Sequence, residues 1–235
     1  MNTLSKTFIE ALIAELSEYI SDKCDEVTDD ISFSLREIKS VDSHTCKYDN
    51  GATKGVLIFD DLDVVIKIPF QGCSGYYYTS ESTDAEEKSS FEAFQGATVD
   101  DNPSGWDYCK RETELYEKAR KAGVEEFFLE EEKLCEVNGY PIYVQKKAHS
   151  IGYESMESKE IAAMRERIDN LLDKVDTMRM SGNFITQLAV AYTFDKLCEF
   201  FDFCKEQGIT DLHSSNYGYY NNKPIIVDYS GYYES

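Results

Sequence analysis

The stretch GVLIFDDLDVVIKIPF, Gly55–Phe70, holds two apolar runs, Val56–Phe59 and Val64–Ile68, divided by the acidic Asp60-Asp61-Leu62-Asp63. Two short runs rich in Val and Ile, separated by a polar turn, predict a β-hairpin. Strand alternation places Lys67 on the face opposite Ile66 and Ile68. A lysine there is either an outward-facing strand residue or a cation pointing into a cleft to hold a phosphate.

Outward from this hairpin, residues 3–22 set Leu4, Phe8, Leu12, Leu16 and Tyr19/Ile20 at helical spacing and predict an amphipathic helix. Ile31, Phe33 and Leu35 alternate and predict a strand. Residues 71–105, rich in Ser, Gly, Thr and acids, read as a long surface insertion. The helix WDYCKRETELYEKARKAG follows, with Leu115, Tyr116 and Ala119 on one face and Gly123 as its stop. Asn138-Gly139 between two apolar runs is a hairpin signal. Beyond about residue 150 the pattern turns helical. SKEIAAMRERIDNLLDKVDTMRM is amphipathic and charged. NFITQLAVAYTFDKLCEFFDFCKEQG is apolar nearly all round and reads as one buried helix. The expected organisation is a helix and acidic linker over 1–30, a β-rich part over 31–147 carrying the 71–105 insertion, and a helical part over 148–235.

With 24 Lys and Arg against 45 Asp and Glu, the 235-residue chain carries a formal charge of −21. Such acid opposes direct binding of nucleic acid through its phosphates and attraction to an anionic membrane surface. Apolar residues make up 42%, enough to build a core. Seven cysteines without a Cys-x-x-Cys pair, and three histidines, give no zinc spacing. The thiols read as reduced residues of a cytoplasmic protein. The sequence shows no signal peptide and no apolar run long enough to span a membrane.

Three further places carry chemistry beside Lys67. Glu112 precedes Leu115, Tyr116 and Ala119 and lies on the buried edge of its helix, whereas Glu114 points elsewhere. Asp211 is followed five residues later by Asn216, and Asp228 follows the apolar run Pro224–Val227. Magnesium takes hard oxygen ligands, which Asn216 and Asp228 offer, and Asp211 can accept a proton from an attacking hydroxyl. Each residue also has a plain structural use: Asp211 as a helix or turn cap, Asn216 in a turn before Gly218, Asp228 as a strand-end cap, Glu112 as a solvated charge.

Taken in order, VVIK, the helix glutamate, the Asn-Gly hairpin, DLHSSN and VDYSG resemble the protein-kinase-like superfamily. Asp-Leu-His is nearer the aminoglycoside and choline phosphotransferase style. The resemblance spans roughly residues 31–231 and implies an α+β, bilobal kinase-like fold, with a β-rich N-lobe and a reduced helical C-lobe. It implies that Lys67 binds the phosphates of ATP and pairs with Glu112. Asp211 would be the catalytic base, and Asn216 and Asp228 would hold Mg²⁺. Residues 143–148, with Gln145 and Lys146, would be the hinge that meets the adenine. Gly51 and Gly55 stand where a glycine-rich loop belongs, without its full G-x-G-x-x-G pattern. Ile209-Thr210 replace His-Arg, Tyr229-Ser230 replace Phe-Gly, and seven residues follow Asp228. The pattern is that of minimal, truncated kinase-like proteins of bacteria and phages.

The expected function is an ATP- and magnesium-dependent phosphotransferase, with a small molecule, the chain itself or another protein as acceptor. The alternative is a pseudokinase acting as an interaction module, or an acidic, DNA-mimicking inhibitor of a basic partner.

Overall fold

The computed structural model describes residues 4–20, 35–50, 54–69, 105–149, 182–209, 212 and 216–230. The fold is α+β. The chain packs into two compact units, one of residues 1–110 with 131–146, the other of 111–130 with 147–235.

In the first unit, α1 (Lys6–Ser17) begins at Ser5, whose hydroxyl accepts the Phe8 N–H at 3.0 Å. That cap satisfies a donor the first helical turn would leave orphaned. Phe8, Leu12 and Leu16, with Ile20 beyond the helix end, bury the predicted stripe. They pack on a six-stranded antiparallel sheet of order β1-β2-β3-β4-β6-β5. Its strands are β1 (Ser40–Val41), β2 (His44–Asn50), β3 (Lys54–Phe59), β4 (Val64–Pro69), β5 (Glu131–Val137) and β6 (Tyr140–Lys146). The hairpin predicted over 55–70 is β3–β4, with Val56 opposite Lys67 and Leu57 opposite Ile66. Leu57, Phe59, Ile66, Ile68, Ile142 and Val144 face α1, and the Phe8 and Phe59 rings meet edge-on at 5.3 Å. Each large apolar side chain buried here contributes about 1.5–3 kcal/mol. The Asn138-Gly139 turn joins β5 to β6, with φ of 52° and 82° at its two residues. This is the left-handed pair a two-residue hairpin demands.

One expectation changes in this unit. Ile31 and Phe33 lie outside the described residues, and of the described part of the predicted strand only Ser40–Val41 is a strand. Leu35 and Ile38, three apart, form a turn in which the Ile38 N–H donates to the Leu35 carbonyl at 3.2 Å. Helical spacing, not alternation, puts both in the core.

In the second unit, α2 (Gly105–Ala122) supplies Leu115 and Ala119 to a core shared with a 3₁₀ turn at Glu125–Phe127. Gly123, at φ 74°, ends the helix as expected. The apolar run after residue 182 is two helices rather than one: α3 (Gly182–Ala191) and α4 (Phe194–Gln207). Thr193 is extended, and its hydroxyl accepts the Lys196 N–H at 3.4 Å, with Asp195 in the first turn of α4. Cap and carboxylate both favour a new helix start at that point. Val190 and Phe194 are exposed at the break, so the run is not buried all round. A two-stranded sheet, β7 (Tyr217–Tyr220) and β8 (Lys223–Ile226), closes the unit. Of the predicted insertion 71–105 only Gly105 is described, as the first residue of α2, and the charged helical stretch 158–180 lies outside the described residues. Among the described residues no helix is long and apolar enough to cross a membrane.

Candidate functional site

One face of the six-stranded sheet meets α1, and the other carries polar groups. Alternation from Leu57 and Ile66 puts Lys54 and Val56 of β3, Lys67 of β4, Tyr143 and Gln145 of β6 and Glu131 of β5 on that second face. Lys67 is 4% exposed and Glu131 1%, and Lys67 Nζ donates to Glu131 Oε2 at 2.5 Å. Losing water is costly for both ions, and direct contact offsets that cost. Gln145 stands opposite Glu131 across the ladder and is likewise buried. Glu131 Oε1 is buried with no hydrogen-bond partner among the described residues. Lys54, 6% exposed, completes the buried charged groups described in this unit.

The expected face of Lys67 is therefore the one observed, and the structure gives it a carboxylate that local pattern did not reveal. Glu131 opens a strand 64 residues away and reaches Lys67 through sheet pairing. Alternation did hold the signal for Lys54, which lies two residues before Val56, the residue opposite Lys67.

Gly55 has a use in packing. A Cβ there would come within 2.5 Å of the Tyr48 hydroxyl oxygen, so the missing side chain makes room for the Tyr48 ring. Gly51 lies outside the described residues. Gln145 and Lys146 end β6, Lys146 pairs with Asp63 at 3.5 Å, and the chain passes into the second unit directly after Lys146.

In the second unit the β7–β8 hairpin does the positioning. Tyr217 stands opposite Ile226, and Asn221 and Asn222, with φ of 49° and 60°, make the tight turn. At the open end, the Asn216 carbonyl accepts the N–H groups of Val227 at 2.8 Å and Asp228 at 3.3 Å. Main-chain bonds thus bring Asn216 and Asp228 together. Gly218 permits the hairpin to meet residue 149, since a Cβ there would stand 2.7 Å from the His149 carbonyl oxygen. The Leu129 N–H donates to the Ile226 carbonyl at 2.8 Å, and the Tyr229 hydroxyl donates to the Leu129 carbonyl at 3.0 Å.

Glu112 joins this arrangement. It is fully buried, Glu114 is exposed, and Glu112 Oε1 accepts the Tyr229 N–H at 3.1 Å. The helix glutamate therefore anchors the residue after Asp228. Asp211 and His213 lie outside the described residues, while Ile209 and Leu212 are buried in the second unit's core. In that core, burial holds the Cys204 thiol well above its usual pKa.

Asn216 and Asp228 can offer an amide and a carboxylate oxygen, a hard donor set suited to Mg²⁺. Lys67 can offer a cation to a phosphate. Compared with models of known protein families, with curated proteins and with solved structures, the chain matches none.

Proposed function

We propose that this protein is an ATP- and magnesium-dependent phosphotransferase of the protein-kinase-like, bilobal kind. On this reading the β-rich first unit is the nucleotide-binding lobe and the helical second unit is a reduced catalytic lobe. The observation that carries the reading is the joining of Asn216 and Asp228 by main-chain hydrogen bonds, although twelve positions separate them in sequence. A turn or strand-end cap needs only one of these residues. A metal site needs both oxygen donors at one place, held by something other than the ligands themselves.

Phosphoryl transfer asks the protein mainly for position and charge neutralisation. Lys67 would meet the phosphates, its ammonium aimed by Glu131. Asn216 and Asp228 would hold Mg²⁺, which supplies positive charge to the nucleotide phosphates. Glu112 would keep the Asp228 backbone in place through Tyr229. Asp211 would take the proton of the acceptor hydroxyl as its oxygen bonds to the γ-phosphorus and the bond to the β–γ bridging oxygen breaks, releasing ADP. Gln145 and Lys146 would meet the adenine.

Gly55 favours a second reading, binding without transfer. Its open space is filled by Tyr48, so it does not support a loop that closes over phosphates. A pseudokinase or an acidic partner-binding module would keep the fold and lack turnover. Two measurements decide. ATP with Mg²⁺ should raise the unfolding free energy by about 2.7 kcal/mol at a hundredfold excess over Kd. Incubation with γ-labelled ATP should move label to an acceptor or to water, and Asp228→Ala should stop it. Stabilisation without turnover establishes the binding module. Absence of any ATP effect removes the nucleotide reading altogether.

A further inference from the structure

We propose that Arg111 is a positioning residue of the transfer site, fixing the end of α4 from which the chain runs on to Asp211. The inference rests on the phosphotransferase reading and extends it to a residue that no kinase-like motif marks.

The contact joins distant parts of the second unit. Arg111 lies on α2, and its Nη2 donates to the Gln207 carbonyl at 2.8 Å, across 96 positions, and to the Gly208 carbonyl at 3.5 Å. Helix α4 does not need this bond in order to stop. Gly208, at φ 64°, turns the chain, its N–H donates to the Lys205 carbonyl at 3.3 Å, and the Ile209 N–H donates to the Cys204 carbonyl at 2.8 Å. Those bonds already make the left-handed stop that glycine allows. The guanidinium takes carbonyls that lie beyond them, where the chain leaves the helix. It also brings a cation to the negative end of the helix dipole. Asp211 follows Gly208 by three residues.

The next residue on α2 holds the other segment. Glu112 Oε1 accepts the Tyr229 N–H at 3.1 Å, directly after Asp228. Consecutive helical residues point about 100° apart, so Arg111 and Glu112 reach different surroundings. One turn of α2 therefore ties down both the end of α4, which leads to Asp211, and the segment that carries Asp228. Transfer needs the base and the metal ligand at a fixed separation, and a displacement of about 1 Å can cost about 10²-fold in rate.

The test follows transfer from γ-labelled ATP by the full chain, under conditions where each variant is folded. Arg111→Met keeps an apolar stem and removes the guanidinium. Its kcat should fall about tenfold to a hundredfold, while KM for ATP and the magnesium-dependent stabilisation by ATP stay those of the parent. Ethylguanidinium added to Arg111→Ala should restore part of the lost kcat, whereas such a cation would only lower an activity lost through instability. Lys118→Met removes the ammonium that α2 gives to the Gln207 side chain at 3.0 Å, and should leave kcat unchanged. Arg111→Lys keeps the charge at the helix end and serves where Arg111→Met fails to fold; its kcat should also fall, because an ammonium does not reproduce the planar guanidinium. A parent-like kcat in folded Arg111→Met, or in Arg111→Lys should the first variant unfold, overturns the inference and leaves the phosphotransferase reading standing. So does a loss of kcat matched by an equal loss of ATP stabilisation. A parent protein that transfers no label overturns both.

Discussion

The two units hold their polar groups by opposite means. In the first, Lys67 and Glu131 hold each other, side chain to side chain, in a buried place where neither ion is tolerable alone. In the second, main-chain bonds link Asn216 and Asp228. The difference teaches that stability and chemistry should separate differently in the two units. Removing a charge from the first should damage the fold. Removing a carboxylate from the second should damage function first.

The largest expected effect tests the first half of that contrast. Glu131→Ala leaves Lys67 buried without its partner and should cost about 3–5 kcal/mol in urea unfolding. The double variant Lys67→Met with Glu131→Leu should recover most of this, because apolar residues of similar volume can replace a buried pair. A single-variant loss below about 1 kcal/mol, the range of a surface pair, would erase the distinction.

Glu112→Ala should come next. It removes the carboxylate that accepts the buried Tyr229 N–H, a loss of about 1–3 kcal/mol. Glu114→Ala, on the exposed side of the same helix, should fall within about 0.5 kcal/mol of the parent protein. Equal effects at the two positions would deny Glu112 its anchoring role.

Asp228→Ala sharpens the other half. Asp228 is only partly buried, and its backbone N–H keeps its bond to Asn216. Stability should change by about 1 kcal/mol or less, while the magnesium-dependent effect of ATP disappears. A collapse of stability on the scale of Glu131→Ala would show that the two units are built alike.

The smallest effect concerns pH. Burial raises the Cys204 thiol, and burial also raises the Tyr192 phenol. Both groups are neutral when protonated, so above their unfolded pKa values the folded chain binds more protons than the unfolded one. Their contribution to stability is complete below about pH 9 and declines as pH rises further. Denaturant midpoints should therefore fall from pH 9 to pH 10.5, and Cys204 should resist alkylation at pH 8 until the chain unfolds. Rapid labelling of native Cys204 would contradict its place in the core.

Local pattern made much of the first unit legible. Alternation around Val56–Ile68 gave the β3–β4 hairpin and the face of Lys67, and Asn138-Gly139 gave the β5–β6 turn. Helical offset separated buried Glu112 from exposed Glu114. Glu131 was not legible as the partner of Lys67, because its approach depends on strand pairing across 64 residues. The β7–β8 hairpin was also hidden. Its turn uses Asn221 and Asn222, both left-handed, without the glycine that normally announces such a turn. Asparagine tolerates that conformation, but two in a row are a weaker signal than Asn-Gly. The break at Thr193 was locally encoded by its cap and Asp195, but a long apolar run on both sides concealed it.

The chain crosses between its units after Lys110, after Glu130 and after Lys146, and the first of these crossings falls inside α2. Neither half is therefore a contiguous cassette. A fragment ending after Lys110 or Glu130 lacks part of the first unit, and one ending after Lys146 holds the first unit whole but carries residues 111–130 of the second with it. A recombination event could not exchange one half and spare the other. The two units are interleaved along one chain, so each is completed only by residues that lie beyond a stretch of the other.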